Sequence, residues 1–296
     1  MDLKIAICSS AHRPQNWTAL YNSIGKNDVE FELVFVGPNP PDYRLPHNFR
    51  FIKSPVKPQQ CIEIAVRNTC ADLVMFNFTD DCQFQGQRPL DRLYQVYKSH
   101  NDDKIIISCR YMMDGVDLSD ASHYFDNSDT TSPLMPLAPL ISRKFYCELG
   151  GIDKNFQAIF GDLDIAMRAY AQGGKVVMSD VYLNEDKSKR AQSSLCTEYW
   201  KQDRGLLESL WIKDGKISFN RAKPAELFSD KNILKFSQGP RGRWRGNGLF
   251  LFEKIETNFP RVIRGIRKPS MYFNYAGRMI GYLRDKLRKA RLKIES

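Results

Sequence analysis

Over its first hundred or so residues the chain alternates short, continuous apolar runs with segments of helical period. The runs are LKIAICS (3–9), FELVFVG (31–37), FRFIKS (49–54), DLVMFNF (72–78) and KIIISCRYM (104–112). A helical candidate near 15–25 follows the first. KPQQCIEIAVRNTCA precedes the fourth, with Cys61, Ile62 and Ala65 at helical spacing and Pro58 suited to a first turn. PLDRLYQVYKSH follows as a further helix. Continuous apolar strands between amphipathic helices predict an α/β fold, a mainly parallel central sheet with helices on both faces. In such sheets ligands bind beyond the carboxyl ends of the strands, which places Ser9–Arg13, Gly37–Asn39 and Asp80–Asp81 at one edge.

Beyond residue 113 the pattern loosens. Residues 113–136 are polar and turn-rich, as in an excursion near a site or an exposed surface loop. A strand at 137–142, a short helix, a glycine turn, a helix from about 162 to 172 ended by Gly173–Gly174, and a strand KVVM come next. Residues 195–212 and 225–236 read as helices. The expected division is 1–190 as the main domain, 191–236 as a helical extension flanking it, and 237–296 as a basic C-terminal helical appendage.

Charge separates the last part from the rest. Residues 235–296 hold 16 Lys and Arg against 4 Asp and Glu, leaving 28 against 30 for the preceding residues. The whole excess of +10 therefore resides in the tail, which is where an anionic surface would be met. GRMIGYLRDKLRKARLKIES sets Met279, Ile280, Leu283 and Leu287 near one helical face among arginines and lysines. Such a segment suits an anionic membrane surface, or its own domain with a solvated basic face. Nucleic acid is the weaker partner: arginines flank Trp244 in GPRGRWRGNG, but no recognition motif accompanies them.

Several classes lose support. No run approaches the ~20 uncharged apolar residues needed to cross a bilayer, and MDLKIAICSSAHRP reads as a first strand, not as a secretion signal. The expectation is a cytoplasmic protein, peripheral on the inner face of the cell membrane if the tail binds it. Seven cysteines without a C-x-x-C pair argue against structural zinc and a disulfide framework. G-x-G-x-x-G behind the first strand, G-x-x-x-x-G-K-[ST] and G-x-S-x-G are all missing.

Two acidic groups remain as candidates for chemistry. In NFTDDCQF, adjacent Asp80 and Asp81 repel, so they mark either a solvated turn or an edge that handles a metal or a phosphate. In FGDLDIAMR, Asp162 and Asp164 fall at a helix start, where a carboxylate can cap amides. If both edges share a cleft, one can hold a cation while the other acts as a general base.

In these motifs, over roughly residues 3–185, the sequence resembles the nucleotide-sugar-dependent glycosyltransferases of the GT-A, family-2-like group. KIAICSSAHRP looks like their first strand and arginine turn, CIEIAVRNTCADLVMF like their Arg-Asn element through Arg67 and Asn68, and FTDDC like their D-x-D element. GGIDKNFQAIFGDLDIAMRAYAQGG resembles their GGFDExF…EDxDLxxR stretch. The resemblance implies inverting transfer of a sugar from a nucleotide-diphosphate donor to a hydroxyl of a glycan or lipid-linked acceptor, as in cell-surface polysaccharide or lipooligosaccharide synthesis. It implies Asp162 as catalytic base, Mn²⁺ or Mg²⁺ on Asp81 or Asp80, and donor contacts from Ser9, Arg13, Lys57, Arg67, Asp80 and Asp81. The chain departs from the pattern in three places. Gly161 replaces an acidic residue, VFVGPN lacks an aspartate beside the base, and no histidine follows KVVMSDVYLNED. A catalytically impaired glycan- or nucleotide-binding relative and a basic nucleic-acid-binding protein are the alternatives.

Overall fold

A computed structural model describes residues 4–54, 56–117, 133–185 and 195–228. Most of the excursion expected at 113–136, the basic tail and most of the helix expected at 225–236 lie outside them.

The first half builds as its periodicity predicts. Strand β1 (Ile5–Ser10) leads through a single 3₁₀ turn into helix α1 (Trp17–Ile24), then β2 (Phe31–Gly37) and β3 (Phe49–Lys53). Helix α2 (Pro58–Arg67) opens on Pro58, whose missing N–H costs nothing in a first turn. Strand β4 (Leu73–Thr79), β5 (Cys82–Phe84), helix α3 (Pro89–His100) and β6 (Ile105–Met113) follow. The two-residue β7 (Val116–Asp117) pairs back on β6. The second half contributes β8 (Leu140–Ser142), α4 (Arg143–Glu148), α5 (Gly161–Ala171), β9 (Lys175–Glu185) and α6 (Leu195–Trp211). A small hairpin of β10 (Ile212–Lys213) and β11 (Lys216–Ile217) closes it.

Strands β1, β2 and β4 are buried on both faces, which is why they read as unbroken apolar runs, whereas β3 lies at the sheet edge with Arg50 exposed. On one face Ala6, Cys8, Val34, Val36, Val74 and Phe76 pack against α2, α5 and α6. On the other, Ile5, Ile7, Leu33, Phe35, Leu73 and Met75 pack against α1 and α3. Each fully buried side chain of this size stabilises the fold by about 1.5–3 kcal/mol, so the sheet is the anchor of everything at its edges.

The sheet is mixed: the parallel part expected from the sequence is present, and β5, β7 and β8 run against it. Its order is β3-β2-β1-β4-β8-β6-β9-β5, with β7 beside β6. β1, β2, β3 and β4 run parallel, as do β6 and β9, but β8 is antiparallel to β4 and β6, and β5 to β9. The helix expected from 225 is not found in the described residues. Leu227 instead bridges Asp153, and Glu226 accepts a backbone bond from Lys154.

Two features of this topology position the candidate site. First, β1 is flanked by β2 and β4, so the chain winds outward one way through β3, crosses back by α2, and resumes at β4. The carboxyl ends of β1 and β4 thus form the switch point where α/β sheets open a crevice. Second, only Asp80 and Asp81 separate β4 from β5, although β5 lies four places along the sheet. Four flat strand spacings would be about 19 Å, whereas the three Cα steps from Thr79 to Cys82 reach only about 11 Å. The sheet therefore curls at this end. β8 permits it by pairing with β4 only over Leu73–Met75, which leaves the later half of β4 to turn toward β5 and β9.

Candidate active site

Asp80 and Asp81 are not solvated. They are 1% and 3% exposed, and Arg13, from the turn after β1, lies across both. Asp80 Oδ2 accepts from the backbone N–H of His12 (2.7 Å), the backbone N–H of Arg13 (2.6 Å) and Trp17 Nε1 (3.0 Å). Its Oδ1 faces Arg13 Nε at 3.0 Å and Nη2 at 2.9 Å. Asp81 takes Arg13 Nη1 on Oδ2, and Nη2 on Oδ1 at 3.0 Å. A fork of this kind is the strong form of a charged hydrogen bond. His12, packed in the same turn with Nε2 3.0 Å from Ser10 Oγ, has its pKa lowered, first by burial and then by the Arg13 charge, against the opposing pull of Asp80.

The pair so held does not fit a divalent cation. Asp80 already meets five donor contacts, and both Asp81 oxygens face the guanidinium. Among the described residues, no group of three or more His, Cys, Asp or Glu side chains could hold a metal ion.

Asp162 stands in the first turn of α5, mostly buried. The topology brings α5 to the same edge as the switch point: its last residues lead into β9, which begins beside the start of β6, so its first turn lies toward the carboxyl ends. The loop before it is tied to the first turn of α2, which follows β3 at that edge. Gln59 N–H donates to Gln157 O (3.2 Å) and Gln59 Nε2 to Ala158 O (3.1 Å). The departure at Gly161 has a steric cause. A Cβ there would sit 2.2 Å from Gln59 Oε1 and 3.2 Å from Ile152 Cγ2, so any larger residue requires the Gln59 amide to move. Phe160 enters the helix at φ 69°, a left-handed conformation that a bulky residue adopts only under constraint.

The three residues ahead of Phe160 are held by Asp203 of α6, a residue that sequence reasoning missed. It is fully buried and accepts from the backbone N–H groups of Gln157 (3.1 Å), Ala158 (2.8 Å) and Ile159 (3.0 Å). The signal was present: Asp203, Leu207, Leu210 and Trp211 fall at i, i+4, i+7 and i+8, which puts a carboxylate on the buried stripe of a helix. Asp164 is likewise structural. It holds Arg168 (3.0 Å), Trp211 Nε1 (2.9 Å) and Arg221 Nε (2.9 Å), and Arg221 reaches on to Asp153 at 2.5 Å.

The other expected donor contacts divide. Lys57, at the start of α2, bonds Gln157 Oε1 and lies 4.6 Å from the Tyr199 ring centroid, beside the Asp162 loop. Ser9 is fully buried within β1, its hydroxyl donating to Ser10 O at 3.1 Å. Arg67 ends α2 at the opposite edge of the sheet, on Glu63 (2.7 Å) and Phe228 O (2.8 Å), and does not join the rest. Two surface cavities, of about 700 and 490 Å³, lie elsewhere. The first is lined by Leu73, Tyr97 and Arg143, the second by Asn22, Gly86 and Arg88.

No protein-family model matches the chain, and no curated protein matches it. Among solved structures it is similar to S. aureus TarS 1-349 in complex with UDP, at 14% identity and TM-score 0.49, covering 71% of this chain and 76% of that one. A structure of S. aureus TarS matches at 14% identity and TM-score 0.45, over 85% and 45% of the two chains. The mannosyltransferase PcManGT from Pyrobaculum calidifontis, in complex with GDP-Man and Mn2+, matches at 15% identity and TM-score 0.48, over 68% and 60%. The likeness is one of chain path alone, at a TM-score below 0.5 in each case.

Proposed function

We propose that this chain is an inverting glycosyltransferase, moving a sugar from a nucleotide-diphosphate donor to a hydroxyl of a glycan or lipid-linked acceptor. The observation that supports it is the placement of Asp162 in the first turn of α5, at the same sheet edge as the β1/β4 switch point and braced there by Gln59 and Asp203. The donor occupies the switch-point crevice, its diphosphate toward the first turn of α2 and Lys57. The acceptor oxygen attacks the anomeric carbon from the face opposite the diphosphate. As the new C–O bond forms, the old one breaks, and its electron pair leaves with the diphosphate. The acceptor proton passes to the Asp162 carboxylate. A carboxylate is a weak base, so the proton leaves late and positioning contributes most of the rate.

A panel of sugar nucleotides assayed for transfer and hydrolysis identifies the donor. With that donor, Asp162→Asn is expected to lower kcat by about 10²–10⁴-fold, the usual worth of a general base, and to leave donor affinity nearly unchanged. Equal losses in both would remove the base role, and donor binding without turnover in the unaltered protein would favour the catalytically impaired relative.

A further inference from the structure

We infer that Asp80 and Asp81 are the seat of Arg13 and not a divalent-cation site, and that this chain binds its diphosphate ligand without a metal. The first half stands on side-chain geometry alone; the second rests on the transfer reading.

Ligand number does not decide the matter, because Mg²⁺ is content with one or two carboxylates plus phosphate oxygens. What closes the pair is the guanidinium. Arg13 offers five N–H donors. Nε and one Nη2–H face Asp80, the second Nη2–H and one Nη1–H face Asp81, and one Nη1–H is left over. The guanidinium offsets one of the two negative charges. The other is met at Asp80 Oδ2 by three convergent N–H groups, from His12, Arg13 and the Trp17 indole. A cation at Asp81 would have to break the fork and leave a guanidinium without its partner in a site where it is 24% exposed. His12 Nε2 is itself engaged, 3.0 Å from Ser10 Oγ.

The arrangement also explains why the two aspartates are adjacent. One carboxylate fixes the backbone of the β1–α1 turn, and the next, one residue on, holds the tip of the arginine that turn carries. The cation of this crevice is a side chain, and its spare Nη1–H is the donor left for a phosphate oxygen.

The test is direct Mn²⁺ binding to the full, metal-stripped chain, read from the electron paramagnetic resonance signal of free Mn²⁺. Wild type and Asp81→Asn are expected to give the same curve. One equivalent of Mn²⁺ bound by wild type and lost in Asp81→Asn overturns the inference. Should Asp81→Asn fail to fold, the Trp17 indole N–H resonance of wild type serves instead: sharp at one equivalent of Mn²⁺ supports the inference, and broadened beyond detection overturns it. In a second arm, UDP and GDP are titrated in EDTA and in Mn²⁺. Equal affinity is expected, and a tightening of about tenfold that Asp81→Asn abolishes would overturn the metal-free reading. If neither nucleotide binds under any condition, the transfer reading fails, and the Mn²⁺ arm still decides the aspartates.

Discussion

At the scale of single residues, the site is built by exclusion as much as by attraction. Gly161 is small because the Gln59 amide occupies the space beside it, and that amide is itself fixed on Ala158. Gly161→Ala is therefore expected to destabilise the fold by about 1–3 kcal/mol, the usual cost of overpacking. Gln59→Ala should relieve the clash, so the double variant should lose less than the two single variants together. Urea denaturation of the three proteins checks this, and additive losses would mean that the two residues do not meet. The same exclusion limits what the sequence could disclose. Adjacent carboxylates at 80 and 81 are visible as an oddity, but their answer is Arg13, 67 and 68 positions earlier, and only the pairing of β1 with β4 brings them together.

At the scale of elements, helix α6 governs a loop it does not adjoin in sequence. Asp203 gathers three consecutive amides ahead of α5, so Asp203→Ala leaves one buried and two part-buried donors without their acceptor. The expected loss is on the order of 3 kcal/mol, with faster amide hydrogen exchange at Ala158 and Ile159. Unchanged exchange there would rule out the clamp. Elements whose period arises from burial on both faces were legible: the run FELVFVG became β2 and PLDRLYQVYKSH became α3 with the ends the sequence suggests. Direction was not legible for β8, because three apolar residues fit either sense and only their neighbours choose. PAELF misled for a related reason: residues of high helical propensity were drawn into an extended bridge to Asp153, and tertiary pairing overrode local preference.

At the scale of the whole molecule, charge and chemistry occupy different parts of the chain. Residues 235–296 carry 16 basic against 4 acidic residues, while the acidic edge belongs to the body. We propose that this segment brings the protein to an anionic membrane surface, where each basic residue near the surface is worth about 1 kcal/mol. The full chain should be retained on vesicles containing anionic lipid and released by salt, and should not be retained on polynucleotides; the opposite pattern would favour a nucleic-acid partner. Among the described residues no helix is long and apolar enough to cross a membrane.

The two-residue link between β4 and β5 also sets an order of assembly. Cys82 finds its ladder partner in Glu185, about a hundred residues later, whereas Arg13 is already made when Asp80 and Asp81 emerge. During synthesis the arginine clasp can close while the neighbouring strand still waits for the second half of the polypeptide. The crevice floor is thus among the first parts of the protein that can be set, and its far wall among the last. A chain stopped before residue 175 would expose the β5 edge with no strand to cover it, the kind of surface on which unfinished proteins stick to one another.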